Sequence, residues 1–127
     1  MSIAEFLGQN RDRQTAFLRE LVRVPSDNPP GDCAPHGERM AVLLEELGFE
    51  VERHPVPAAL CREQDMISVT NLIVRYRFSE DGPVIALNAH GDVVAPGDGW
   101  TTDPYGGEIK DGWMYGRGVA VSKSDFA

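Results

Sequence analysis

Residues 84–89 restrict the fold of this chain more than any other stretch. From Val84 to Ala89 the side chains are apolar almost throughout, which is typical of a strand covered on both faces, and such a strand needs helices above and below its sheet. A second strand is predicted at Asn71 to Phe78, and a turn at 79–83 links it to the first. The two runs together predict an antiparallel hairpin in an α/β fold, with a mixed β-sheet flanked by helices.

Two amphipathic helices are predicted to supply part of that cover. From Asn10 to Val24, apolar residues recur at helical spacing among charged ones. Pro25 limits how far this helix continues. A second helix is predicted from Pro35 to Leu47, and Gly48 stands where a left-handed C-terminal cap is needed.

The segments between these elements are predicted to be short strands or ordered loops. Residues 25–32 are dense in Pro, Gly, Asn and Asp, which indicates a loop. Residues 49–52 alternate like a strand, and 113–115 form another short strand. The glycine-rich segment 92–112 is predicted to be a long ordered loop beside a site.

Composition and charge exclude several classes of partner. The chain has 127 residues, 42% of them hydrophobic and 25% charged, which suits one globular core. Its formal net charge of -8 argues against binding to nucleic acid or an anionic membrane. The absence of an apolar span or signal-peptide pattern predicts a cytoplasmic location. Cys33 and Cys61 lack metal-ligand spacing and are expected to be free thiols.

His90 and Asp92 form the candidate site. His90 follows the apolar run directly, and ligands of open α/β sheets usually bind at the carboxyl ends of strands. The carboxylate of Asp92 can accept the second N–H of the imidazole and so fix which nitrogen faces a metal. In such an arrangement His90 is a metal ligand and Asp92 its catalytic carboxylate partner. For an isolated His-x-Asp, a histidine hydrogen-bonded at a strand end without any ligand is favoured instead, so the metal role depends on the flanking sequence.

The flanking sequence resembles the M20 family of zinc peptidases and deacylases. The matching pieces keep the family's order and spacing, and they are Ala89 to Pro96, Trp100, Asp103 to Tyr105 and Asp111 to Gly118. Upstream, residues 21–26 and 28–31 are similar to the family's opening helix and loop. The resemblance therefore covers nearly the whole chain.

This resemblance implies both an activity and a cofactor. M20 enzymes hydrolyse amide bonds near a free carboxylate with two zinc ions, or with another divalent metal such as cobalt. The implied substrate is a small peptide or an N-acyl amino acid, attacked by zinc-activated water. Residues 1–127 correspond to the N-terminal portion of the catalytic domain, and the implied homodimer would form through an inserted smaller domain absent here. The family's paired glutamates would lie beyond Ala127, so the isolated chain is expected to be inactive.

One position departs from the family pattern. The motif Gly-Arg-Gly-x-x-Asp-x-Lys has a metal-bridging Asp where this chain has Val121, although Lys123 matches. Asp125 lies four residues later and is a candidate substitute ligand if the segment is helical. A solvated residue near a helix start is the alternative for Asp125. The missing ligand also favours a second hypothesis, a noncatalytic relative that binds or regulates.

The remaining chemistry-bearing residues are given structural roles. A dinucleotide-binding pattern at Gly116 and Gly118 lacks its third glycine. Arg117 is expected to pair with a carboxylate or backbone carbonyls, and Trp100 and Tyr105 to anchor the loop. The other two histidines, His36 and His54, are expected at the surface or at helix caps.

Overall fold

A computed structural model describes all of residues 1–127. It contains three α-helices, four short strands and a final 3-10 helix. In chain order these are α1 (Ile3–Val22), α2 (Ala34–Glu46), β1 (Val51–Pro55), α3 (Ala58–Glu63), β2 (Thr70–Val74), β3 (Glu108–Lys110), β4 (Trp113–Tyr115) and the 3-10 helix Lys123–Phe126. The α/β class is confirmed.

Helix α1 begins seven residues earlier than its apolar periodicity predicts, at Ile3 instead of Asn10. The cause is a capping box. The Ser2 hydroxyl accepts a hydrogen bond from the Glu5 backbone N–H at 3.2 Å, and the Glu5 carboxylate accepts one from the Ser2 N–H at 2.7 Å. These reciprocal bonds satisfy free N–H groups at the helix start and extend the helix to the N-terminus.

The core lies between α1 and α2. Four buried side chains form it, namely Phe17, Leu21, Met40 and Leu43. Helix α2 confirms the second predicted helix to within one residue at each end, and Gly48 follows it with a φ of +91°. That left-handed backbone at the helix end suits glycine because glycine has no Cβ.

Two antiparallel pairs of strands make up the sheets. Strand β1 pairs with β2 from Val51 opposite Val74 to Pro55 opposite Thr70, and α2 packs on both strands. The connection contains the short helix α3, which the sequence patterns do not predict. Strands β3 and β4 form a hairpin inside and just after the predicted loop, and Asp111 and Gly112 both have positive φ at its turn. Asp-Gly is a favoured pair in such two-residue turns.

The strand predicted at 84–89 is wrong, and so is the hairpin with 71–78. Residues 84–89 are irregular, and Val84 and Leu87 are 97% and 94% exposed. No backbone hydrogen bond joins this segment to any other, because β2 pairs with β1 instead and ends at Val74. An apolar run forms a strand only where another strand supplies a ladder and other elements cover its faces, and neither lies beside it here.

None of the helices combines the length and the apolar composition that a crossing of the bilayer requires.

Candidate active site

The imidazole of His90 lies directly against the carboxylate of Asp92. The Nδ1 atom of His90 is 2.9 Å from Oδ1 of Asp92 and 3.2 Å from the Asp92 carbonyl oxygen. The side chains are 62% and 39% exposed. The predicted contact is present, and the Nε2 atom of His90 has no hydrogen-bond partner in the protein. An imidazole held at Nδ1 by a carboxylate presents the lone pair of Nε2 outward.

Asn28 holds the other oxygen of Asp92. Its side-chain amide donates to Oδ2 at 3.2 Å. Partial burial acts to raise the pKa of Asp92, but the hydrogen bonds from Asn28 and His90 outweigh it and hold that pKa below its ordinary value. The carboxylate is therefore ionised at neutral pH, in the state that accepts the imidazole N–H.

The opening loop places Asn28 by running parallel to the His90–Asp92 segment. The Asn28 N–H donates to the Val93 carbonyl at 2.8 Å, and the Val93 N–H donates to the Ser26 carbonyl at 3.0 Å. Sequence reasoning missed this loop as part of the site. Only the tertiary pairing of Asp27 with Val93 brings the two segments together, and no local pattern encodes it.

Two buried serines hold the backbone under the histidine. The Ser26 hydroxyl donates to the Gly91 carbonyl at 2.6 Å, and the Ser122 hydroxyl donates to the His90 carbonyl. Both serines are about as buried as the core residues. A backbone fixed at consecutive carbonyls leaves the His90 ring little freedom beyond its own side-chain torsions.

His36, expected at the surface or at a helix cap, is only 4% exposed and makes no capping hydrogen bond. It lies in the first turn of α2 with its ring against Gly91. Burial, with a smaller contribution from the Lys123 charge, lowers its pKa to about 4, so the ring is neutral at physiological pH. A signal was available, because His36 precedes the core residues Met40 and Leu43 by four and seven positions on one helix face.

Lys123 is completely buried, with 0% of the residue exposed. Its ammonium group donates to the Leu21 carbonyl at 3.0 Å and to the Val24 carbonyl at 2.8 Å, at the end of α1. Burial lowers the pKa of Lys123 to about 8. The residue that matches the family's lysine thus fastens the segment after β4 to the first helix.

The structure does not bring Asp125 into a metal cluster. Asp125 is exposed on the 3-10 helix, and Val121 is 72% exposed. No group of three or more His, Cys, Asp or Glu side chains is arranged to hold a metal ion. The role of Asp125 as a ligand stays a prediction, as do the roles of His90 and Asp92.

The aromatic residues of the loop have structural roles, as predicted. The Arg117 guanidinium donates to the Pro96 carbonyl at 3.2 Å and lies 5.6 Å from the centre of the Trp100 ring. The Tyr105 hydroxyl donates to the Asp27 carboxylate, and burial together with this bond raises the pKa of Tyr105 to about 12. These contacts attach the loop to the body of the chain.

The remaining polar residues singled out from the sequence make surface or local contacts. His54 is exposed and lies 3.1 Å from the Glu52 carboxylate. Both cysteines are free, as expected, and Cys33 stands at the N-terminal cap of α2.

Comparison with known proteins identifies relatives of this chain. Residues 86–127 match Peptidase family M20/M25/M40. The chain is also 39% identical over 115 residues to the succinyl-diaminopimelate desuccinylase of Cereibacter sphaeroides and 40% identical over 114 residues to that of Rhodospirillum centenum. The chain is related to the M20 peptidases.

The two desuccinylases match 88% of this chain, and the chain spans 27% of the length of each. The segment matched to the M20 family contains His90, Asp92 and Lys123. The opening loop with Asn28 lies outside that segment. The hydrogen bond from Asn28 to Asp92 joins this loop to the matched segment.

Proposed function

We propose that this protein is a metal-dependent hydrolase of amide bonds, in which His90 binds zinc and Asp92 orients it. The observation that carries the proposal is the 2.9 Å contact between His90 Nδ1 and Asp92 Oδ1, together with a partner-free Nε2. Histidines that ligate metals commonly donate their other ring N–H to a carboxylate in this way. The chain thus provides one histidine whose geometry suits a ligand of a zinc centre.

Zinc, when bound, supplies hydroxide at neutral pH and polarises the scissile carbonyl. The residues of this chain prepare the site for it. Asp92 keeps the proton on Nδ1 of His90, so the lone pair stays on Nε2. Asn28 keeps the Asp92 carboxylate in place and ionised. A firm zinc site takes three or four protein ligands, so the centre needs further ligands besides His90.

The proposed substrate class is an N-acyl amino acid. The relatives are named succinyl-diaminopimelate desuccinylases, so a succinyl amide is the first substrate to test, followed by other N-acyl amino acids and small peptides. A cytoplasmic location and a homodimer complete the proposal.

The second candidate is a noncatalytic member of the family that binds a carboxylate-bearing ligand. Val121 favours it, because an exposed valine stands where the family motif has a metal-bridging carboxylate. Zinc binding without turnover of any of these substrates would support this candidate.

Hydrolysis by the full-length protein tests the proposal. We expect turnover of a succinyl amide that a chelator abolishes and added zinc restores. His90→Ala should remove this activity, while His54→Ala, which changes an exposed histidine, should keep it. Activity that survives both the chelator and His90→Ala would contradict the proposal.

A further inference from the structure

The contact between His36 and Gly91 is unusually close for two segments so far apart in sequence. A Cβ placed on Gly91 would lie 2.6 Å from Cε1 and 2.7 Å from Nδ1 of His36. No real Cβ tolerates such distances. Gly91 does not have a positive φ, so glycine is required there by the histidine ring and not by the backbone conformation.

The His36 ring is buried in this position. It is 4% exposed, it belongs to the helix that carries Met40 and Leu43 into the core, and its Nε2 atom is buried without a hydrogen-bond partner. A buried nitrogen that bonds to nothing does not stabilise the fold. What the ring contributes is therefore its shape and its position against the Gly91 backbone.

The backbone at Gly91 is enclosed on several sides. Ser26 holds the Gly91 carbonyl and Ser122 holds the His90 carbonyl, while His36 covers the Cα of Gly91. Removal of the ring would leave the two serines in place and open space on the remaining side. The Cα of Gly91, which neither serine holds, would then shift towards α2 and turn the His90 side chain with it.

We infer that His36 is a positioning residue, which sets the direction of His90 Nε2 by supporting the Gly91 backbone from the face of α2. Its effect on metal binding rests on the proposed function, whereas the contact itself is a property of the fold. Loss of a group that orients a metal ligand typically weakens metal affinity about 10- to 100-fold.

A double-mutant cycle in the full-length protein tests this role, with His36→Ala, Gly91→Ala and the two combined. The readouts are the zinc dissociation constant and the ¹⁵N signals of the His90 ring in metal-free protein. Each single change should weaken zinc binding about tenfold or more. In the His36→Ala background the new methyl group at position 91 has no ring to clash with. Gly91→Ala should therefore weaken zinc binding there by a factor at least about five times smaller than in the wild-type background.

Matched controls separate positioning from general loss of stability. His54→Ala removes an exposed histidine, and Gly8→Ala adds a methyl where no atom lies within 4 Å. Both should keep native zinc affinity and native His90 signals. If His36→Ala does not fold, His36→Asn replaces it, because asparagine keeps atoms near the Cγ and Nδ1 positions but has none at Cε1.

Two results would overturn the inference. One is an equal effect of Gly91→Ala in both backgrounds, and the other is unchanged His90 ring signals in folded His36→Ala protein. If wild-type protein binds no zinc, the proposed function fails, yet the ring signals of the metal-free cycle still decide the role of His36.

Discussion

At the scale of single residues, the site depends on side chains that hold other side chains. His90 and Asp92 were predictable because they are two positions apart and follow an apolar run. Asn28 and His36 were not, because their contacts with Asp92 and Gly91 join distant segments. Only the helical spacing of His36 with the core pointed to its burial.

Asn28→Ala should lower both zinc affinity and kcat about tenfold, since it removes one of the two hydrogen bonds that fix the Asp92 carboxylate. Stability should change by only about 1 kcal/mol. Metal titration and steady-state kinetics on the full-length protein measure the effect. Asn28→Asp, which sets a second carboxylate beside Asp92, should be worse than alanine. Kinetics of Asn28→Ala equal to those of wild type would show that the hydrogen bond has no role.

Burial of neutral His36 should make the protein less stable in mild acid. Its folded pKa of about 4 lies below its ordinary value of 6.5, so the unfolded chain binds the proton first as pH falls. The unfolding free energy does not depend on His36 above about pH 6.5. It falls as the pH drops from there towards 4, with a slope of at most about 1.4 kcal/mol per pH unit. Urea unfolding at several pH values should show this slope reduced in His36→Asn. An identical slope in both proteins would contradict the burial.

At the scale of elements, periodicity located α2 and the short strand β4 correctly, but it missed the first turns of α1, the short helix α3 and the pairing of β2. Helix α2 lies within one residue of its predicted ends, because an amphipathic helix satisfies its own backbone hydrogen bonds. A strand also needs a partner strand, and the local sequence does not indicate which segment that partner is. The apolar run at 84–89 therefore predicted a strand that is absent, and β2 pairs with β1 instead.

Lys123 links two elements, and its removal should show how strongly they depend on each other. Lys123→Met eliminates two charged hydrogen bonds to the end of α1 and should cost about 3 kcal/mol of unfolding free energy. Lys110→Met, at an exposed position, is the matched control and should have little effect. Chemical denaturation measures both. If the two variants are equally stable, the free energy gained by no longer burying a charge offsets the two lost hydrogen bonds.

At the scale of the whole molecule, the isolated chain leaves much apolar surface uncovered. Phe78, Val84 and Leu87 are each more than nine-tenths exposed, and patches of this kind promote association. The sequence patterns and the family resemblance together predicted the α/β class and the contact between His90 and Asp92, but they did not predict the exposed segment, which depends on tertiary packing.

Residues 1–127, expressed alone, should therefore self-associate and hydrolyse no succinyl amide. Light scattering across a concentration series should show the association, and Val84→Lys with Leu87→Lys should reduce it. A monomeric fragment with chelator-sensitive turnover would contradict both expectations.

Zinc content of the full-length protein is the measurement that decides most. After dialysis against trace zinc, wild-type protein should retain at least one equivalent per chain, His54→Ala should retain the same amount, and His90→Ala should lose it. Two equivalents in wild type would mean that another ligand replaces the carboxylate missing at Val121. Wild-type protein that retains no zinc, or His90→Ala protein that retains as much as wild type, would contradict the assignment of His90 as a metal ligand.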